Sequence, residues 1–200
     1  MKEKARKKIL ALYFSPRRPS NSGRLLDAAI EPALSAGFEV ERLYLSDLDI
    51  APCDACGTCY DGSPCPIRDD MTRIYPLIEN ATDMIIATPV YFYGIPAKAK
   101  ALIDRCQIFW ARKYLIANPL PPRTAAVIEV AGSGGKRVFD GINLTIRYFL
   151  DSISINMPAT LELRYIDCIP KDLPKSALDA ANKYGSEFVD QIKKRSEIED

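Results

Sequence analysis

Two hundred residues, set against about 150 per domain, leave room for one domain and none for a second full-sized nucleotide-binding fold. Hydrophobic residues at 48%, charged residues at 26% and a mean hydropathy of −0.10 are those of a compact globular chain, not of a disordered or membrane-embedded one. Lys and Arg (27) balance Asp and Glu (26), which argues against nucleic acid or a membrane as partner, and the absence of histidine removes His-dependent triads, His metal sites and His-ligated haem.

The basic start, Lys2 to Lys8, reads as a solvated tail, and only six apolar residues lie between it and Ser15, too few for a secretory signal. The expected location is therefore cytoplasmic. Lys7–Phe14 (KKILALYF) reads as a buried first strand. Leu25, Leu26, Ala29, Ile30, Ala33 and Leu34 then share one helical stripe, in which Pro32 is expected to kink the helix or end it early. Gly37 closes that helix and Phe38–Leu45 forms the second strand. A cysteine-rich loop over 52–66 precedes a helix with Met71, Ile74, Tyr75 and Ile78 on one face and Asp69 and Asp70 at its start. Asp83–Thr88 (DMIIAT) fits a strand buried on both faces. Pro96 is placed as the first residue of a helix reaching about Lys113. Thr124–Val130 is the fourth strand, a helix runs to about Leu150, Ser152–Leu163 holds a fifth strand, and Ala177, Leu178, Ala181, Tyr184, Phe188 and Ile192 mark a closing helix. Strands alternating with helices predict an α/β fold of the flavodoxin-like, doubly wound type: a five-stranded parallel sheet in the order 2-1-3-4-5 with helices on both faces.

In such a sheet, ligands bind beyond the carboxyl ends of the strands, where three loops meet. SPRRPSNS (15–22) brings three hydroxyls, an amide and two guanidiniums to a helix start, the chemistry of a phosphate site; an ordinary helix N-cap is the competing reading. TPVYFYGIP (88–96) offers flat aromatic surface beside a glycine, and AGSGG (131–135) offers backbone amides in a tight turn. No GxGxxG is present, which argues against a tightly held dinucleotide at the first loop.

Together, SPRRPSNS, TPVYFYGIPAKAKALIDR and AGSGG resemble the three flavin loops of the NAD(P)H-dependent FMN reductase and flavodoxin-like oxidoreductase superfamily, over about residues 7 to 150. The resemblance implies that Ser15, Arg17, Ser20, Asn21 and Ser22 bind the FMN phosphate. It implies further that Pro89, Val90, Tyr91, Phe92, Tyr93 and Gly94 border the isoalloxazine, and Gly132, Ser133, Gly134 and Gly135 its pyrimidine edge.

Four of the six cysteines, Cys53, Cys56, Cys59 and Cys65, fall in CDACGTCYDGSPC. The first three stand two residues apart and the fourth follows after five, and a run of three at two-residue spacing suits a cubane iron-sulfur cluster better than a structural zinc site, which draws on separated pairs; free thiols or a disulfide are the remaining alternatives. The run is similar to the compact cysteine motif of the iron-sulfur flavoproteins, a branch of the same superfamily, which implies a 4Fe-4S cluster exchanging electrons with FMN. Cys106 and Cys168 read as structural.

The expected function is an FMN-dependent oxidoreductase of this iron-sulfur type, with no side chain required as catalytic acid or base. The resemblance supplies ferredoxin or NAD(P)H as donor, a small-molecule acceptor and a homodimer or homotetramer, to which the stretch around Phe109 and Trp110 is a candidate contributor. The alternatives are a cluster-free NAD(P)H-dependent FMN or quinone reductase, with NAD(P)H as a transient co-substrate, and a flavodoxin-like electron carrier.

Overall fold

The computed structural model describes residues 8–166 and 173–199; most of the basic start and Cys168 lie outside them. Five strands, β1 (Lys8–Tyr13), β2 (Glu39–Tyr44), β3 (Asp83–Pro89), β4 (Thr124–Val130) and β5 (Leu161–Leu163), form one parallel sheet in the order β2-β1-β3-β4-β5. Successive side chains alternate between faces. Leu10, Leu12, Met84, Ile86 and Val127 pack on one side, and Ile9, Ala11, Ile85, Ala87 and Ile128 on the other, which is why the central strands read as continuous apolar runs. The first face is covered by α2 (Met71–Asn80), α3 (Ala97–Arg105) and α5 (Asp140–Ser152). The second is covered by α1 (Asn21–Ser35) and α6 (Lys175–Glu199).

α1 closes on Gly37 in the left-handed region (φ +81°), with the Phe38 amide donating to Ala33 and the Gly37 amide to Leu34, a Schellman arrangement. Pro32 does not end the helix early. It lies in the last turn, and Asn182 of α6 donates to the Ala28 carbonyl (3.2 Å) that the missing proline N–H would have bonded. A Cβ on Gly185 would overlap the Ala29 carbonyl, so that glycine lets the two helices touch backbone to backbone.

The predicted helix from Pro96 to about Lys113 is two helices. Pro96 is the N-cap rather than the first helical residue, and the chain breaks at Cys106 (ψ 6°) before α4 (Gln107–Tyr114). β5 has only three residues, and beyond its reach the Val127 amide donates instead to the Tyr184 hydroxyl of α6 (3.0 Å). Cys106 is buried, as expected of a packing cysteine, and so is Phe109, whereas Trp110 stays 37% exposed. No helix among the described residues is long and apolar enough to cross a membrane.

Candidate functional site

The loop after β1 turns into α1 with Ser20 as its N-cap: Ser20 Oγ accepts from the Gly23 amide (3.1 Å) and shares a hydrogen bond with Ser22 Oγ (3.4 Å). Ser15 Oγ accepts from the Arg17 amide (3.2 Å). Ser15, Ser20, Asn21 and Ser22 are all buried, and the first turn of α1 carries no acidic residue. The positive end of the helix is thus left for an external anion. Arg18 is turned away from this site, paired with Asp47 (2.8 Å) and seated over the Tyr44 ring (3.7 Å).

The loop after β3 folds into a two-residue turn. Tyr91 and Gly94 exchange both backbone hydrogen bonds (2.8 and 2.9 Å), with Phe92 (φ +48°) and Tyr93 (φ +62°) between them in the left-handed region. This is the type I′ arrangement, costly for bulky residues, and Phe92 stands fully exposed. The Val90 amide donates to the Val130 carbonyl (2.9 Å) and ties this loop to the end of β4. Gly141 of α5 has no room for a Cβ because the Tyr93 carbonyl lies against it.

One cleft gathers the first loop (Ser15, Arg17, Ser20, Asn21, Ser22), the second (Pro89, Val90, Tyr91) and Gly132 of the third. Nine of the fifteen predicted flavin-site residues therefore meet. Phe92, Tyr93 and Gly94 form the rim turn, and Ser133, Gly134 and Gly135 continue the third loop outside the lining. Sequence reasoning missed Val130 and Ile166, which also line the cleft, and the segment after β5 that packs on the third loop. There Arg164 donates to the Gly135 carbonyl (2.5 Å) and lies over Phe139 (4.8 Å), and Tyr165 occupies the space a Cβ on Gly134 would need. Also unanticipated is Glu129 on β4, fully buried, with both carboxyl oxygens lacking a protein partner among the described residues. Burial, and then the charge of Glu162, pushes its carboxyl up to about 8.

The cysteine loop follows β2. Left-handed Gly57 (φ +75°) and Gly62 (φ +90°) bracket a 3-10 turn at Thr58–Asp61, and Asp54 and Asp61 accept from the amides of Cys56 and Ser63. Cys53, Cys56, Cys59 and Cys65, all free thiols, line one pocket with Arg105, Gln107 and Ile108. Burial, and then its cysteine neighbours, pushes the Cys59 thiol up. Both ends of the loop are tied by the buried Arg105. Nη1 donates to the Ala51 carbonyl (3.0 Å) and Asp69 Oδ2 (2.6 Å), and Nη2 to the Ile67 carbonyl (3.3 Å) and Asp69 Oδ1 (3.2 Å). Burial opposes ionisation of Asp69, but Arg105 and the amides of Ala51 and Met71 outweigh it and hold the carboxyl below the usual range.

Four thiols on one pocket are the donor set of an iron-sulfur cluster. Among the described residues, however, no group of three or more Cys, Asp or Glu side chains is drawn together as a metal site. The thiol pocket and the three-loop cleft share no lining residue.

The family described as NADPH-dependent FMN reductase matches residues 7–157. The chain belongs to that family. The iron-sulfur flavoprotein of Methanosarcina thermophila is 37% identical over 126 residues, 63% of this chain and 64% of that protein. An iron-sulfur flavoprotein of Archaeoglobus fulgidus is 39% identical over 98 residues, 49% of this chain and 44% of that one. The matched part thus spans less than two thirds of these curated relatives. Among solved structures, an NAD(P)H:quinone oxidoreductase from Methanothermobacter marburgensis superimposes with a TM-score of 0.71 over 91% of this chain and 96% of that chain; at 20% identity the likeness is one of fold.

Proposed function

We propose that the protein is an FMN-dependent oxidoreductase of the iron-sulfur flavoprotein type. The observation that carries this is the convergence of three loops on one cleft whose floor is the N-terminus of α1. The residues present fit FMN: buried hydroxyls of Ser15, Ser20 and Ser22 with the helix amides suit a phosphate dianion, and Arg17 adds a cation. Pro89, Val90 and Tyr91 offer apolar surface for the ring, and Gly132 lets backbone approach its edge. When bound, FMN supplies one- and two-electron chemistry, and a 4Fe-4S cluster on Cys53, Cys56, Cys59 and Cys65 supplies single electrons. The task of the chain is to hold and orient these groups; Arg105 fixes the cysteine loop, and the Val90–Val130 hydrogen bond fixes the ring-facing loop. In this reading the donor is ferredoxin and the acceptor a small molecule, NAD(P)H being the donor in the reading that follows, and the working form is a homodimer or homotetramer.

A second reading, a cluster-free NAD(P)H-dependent FMN or quinone reductase, is favoured by the ungathered thiols and by the lack of any shared lining residue between the two pockets. Titration of the apoprotein with FMN tests the common ground: one equivalent is expected to lose its free fluorescence, and a flavin that stays fully fluorescent contradicts both readings. Anaerobic stopped-flow mixing of the flavin-loaded protein with NADPH then separates them. Slow or absent reduction supports the iron-sulfur reading, whereas rapid hydride transfer at micromolar nucleotide sinks it.

A further inference from the structure

β4 carries one ionisable side chain that the flavin reading leaves unused. Glu129 is fully buried, and neither carboxyl oxygen has a protein partner among the described residues. It follows Val127 at the strand period of two, so it points to the face covered by α3 and α5, opposite α1 and α6. Its register partner on β3 is Thr88, also fully buried, and the next residue of each strand, Val130 and Pro89, lines the three-loop cleft. One strand residue rises about 3.3 Å, so Glu129 is set one step below the strand ends that wall the cleft.

The groups around it fix the sign of its response. From β5 its register partner Glu162 faces it, held by Asn143 of α5 (3.4 Å) and by Arg164 (3.0 Å), which continues to the Gly135 carbonyl of the third loop. From β3 the Thr88 hydroxyl donates to the Pro89 carbonyl (3.1 Å), and the strand's carboxylate, Asp83, sits at its far end on Arg195. The Tyr184 hydroxyl of α6 is committed to the Ala159 carbonyl (2.6 Å) and the Val127 amide and stays uncharged, burial pushing it up to about 12. α3 and α5 turn Ala99, Ile142 and Ile146 inward. Their charged residues are engaged elsewhere: Lys98 on the carbonyls of Ser46 and Leu48, Lys100 on Asp104, Arg105 on Asp69, Asp140 on Arg137 and Asp151 on Lys113, with Arg147 exposed. Among the described residues no cation is paired with Glu129, and burial, then the Glu162 charge, keeps its proton on up to about 8.

In low-dielectric surroundings a charge entering the cleft acts strongly on a neighbouring carboxyl. We propose that Glu129 is the proton-coupled group of this site, taking a proton from solvent as the flavin takes electrons and returning it as they leave. The inference rests on reading the cleft as a flavin site. Beyond the flavin's own proton uptake, two electrons pass from donor to flavin while the Glu129 carboxylate and one solvent proton become the carboxylic acid. Below about pH 8 the acid is already formed and electron entry meets no opposing charge. Above it, the carboxylate opposes the electrons until it is protonated, and by reciprocity electrons on the flavin raise its proton affinity.

Spectroelectrochemical titration of the FMN-bound protein from pH 6 to 10, followed at the flavin absorption band, tests this. Between pH 7 and 10 the constant for two-electron reduction is expected to fall about tenfold further in the parent than in Glu129→Gln, about 30 mV for a two-electron couple. At pH 6 the two proteins should agree within about twofold, since the parent then carries the neutral acid. Glu162→Gln removes the facing charge while leaving Glu129 in place, and is expected to move the onset of the extra fall to lower pH; a purely structural Glu129 gives no onset to move. Falls in the parent and Glu129→Gln that agree within twofold overturn the proposal, as does an onset indifferent to Glu162. If Glu129→Gln does not fold, the Glu162→Gln onset decides alone. FMN that fails to bind overturns the flavin reading and this inference together, whereas bound FMN with equal falls overturns this inference alone.

Discussion

Replacing Arg105 by Met tests how the cysteine loop is held. The guanidinium is shut off from solvent and makes four hydrogen bonds, two to the Asp69 carboxylate and one each to the carbonyls of Ala51 and Ile67, which bracket the loop. Its removal leaves an ionised Asp69, itself only 6% exposed, without its cation, and strips two carbonyls of their donor. Breaking a buried pair from one side costs about 3–5 kcal/mol, a large part of the roughly 5–15 kcal/mol that holds a domain folded. Urea unfolding of the cluster-free protein at neutral pH is expected to show that loss. Limited proteolysis is expected to cut between Cys53 and Cys65 in the variant long before the parent. Arg105→Met combined with Asp69→Leu removes the stranded charge and should recover part of the loss. Because the Asp69 carboxyl is held below its unfolded value, the pair stabilises the fold above the ordinary carboxylate range, and the benefit disappears as pH falls through the folded value. A loss below about 1 kcal/mol at neutral pH, with unchanged proteolysis, would refute the clamp.

Ser20→Asp keeps a good N-cap but places a carboxylate among the buried hydroxyls; stability should stay within about 1 kcal/mol while FMN binding is lost, and retained FMN affinity in a fluorescence titration would remove the phosphate from this loop. Phe92→Gly, at an exposed residue with φ +48°, should stabilise the protein by about 1 kcal/mol in urea unfolding by relieving the left-handed strain, and a destabilised variant would show that the turn is not strained. Glu129 holds its proton up to about 8 in the folded chain, so its contribution is full in acid and is lost as pH rises from the ordinary carboxylate value through about 8. Unfolding measured from pH 5 to 8 should fall by up to about 1.4 kcal/mol per unit from this group, Glu129→Gln should flatten the slope, and parallel slopes in the two proteins would refute the assignment.

The parts of the fold readable from sequence are those whose signal is local. DMIIAT reads as a central strand because both faces of β3 are covered, and Gly37 reads as a stop because its backbone is left-handed. The break at Cys106 carries no glycine or proline and was invisible in an apolar helical pattern, while Pro32, a strong local signal, was overridden by Asn182 from a helix 150 residues later. At the site, hydroxyls and glycines betrayed the loops, since both have intrinsic conformational meaning. Arg164, Tyr165 and Ile166 did not, because a three-residue β5 leaves almost no pattern and only the sheet order brings its tail beside Gly132. Arg105 was equally hidden, as its partner Asp69 lies 36 residues away and looked only like a helix-start carboxylate.

The central claim is that one chain carries both a flavin cleft and a cluster-bearing thiol pocket. An anaerobic ultraviolet-visible spectrum of the purified protein, with iron and acid-labile sulfide measured on the same sample, tests it most directly. The account predicts flavin bands with a broad shoulder near about 400 nm and about four irons and four sulfides per chain, lost together when Cys53, Cys56, Cys59 and Cys65 are replaced by Ser. Flavin bands without iron after anaerobic reconstitution would contradict the cluster, and neither chromophore, with no uptake of added FMN, would contradict the cleft as well.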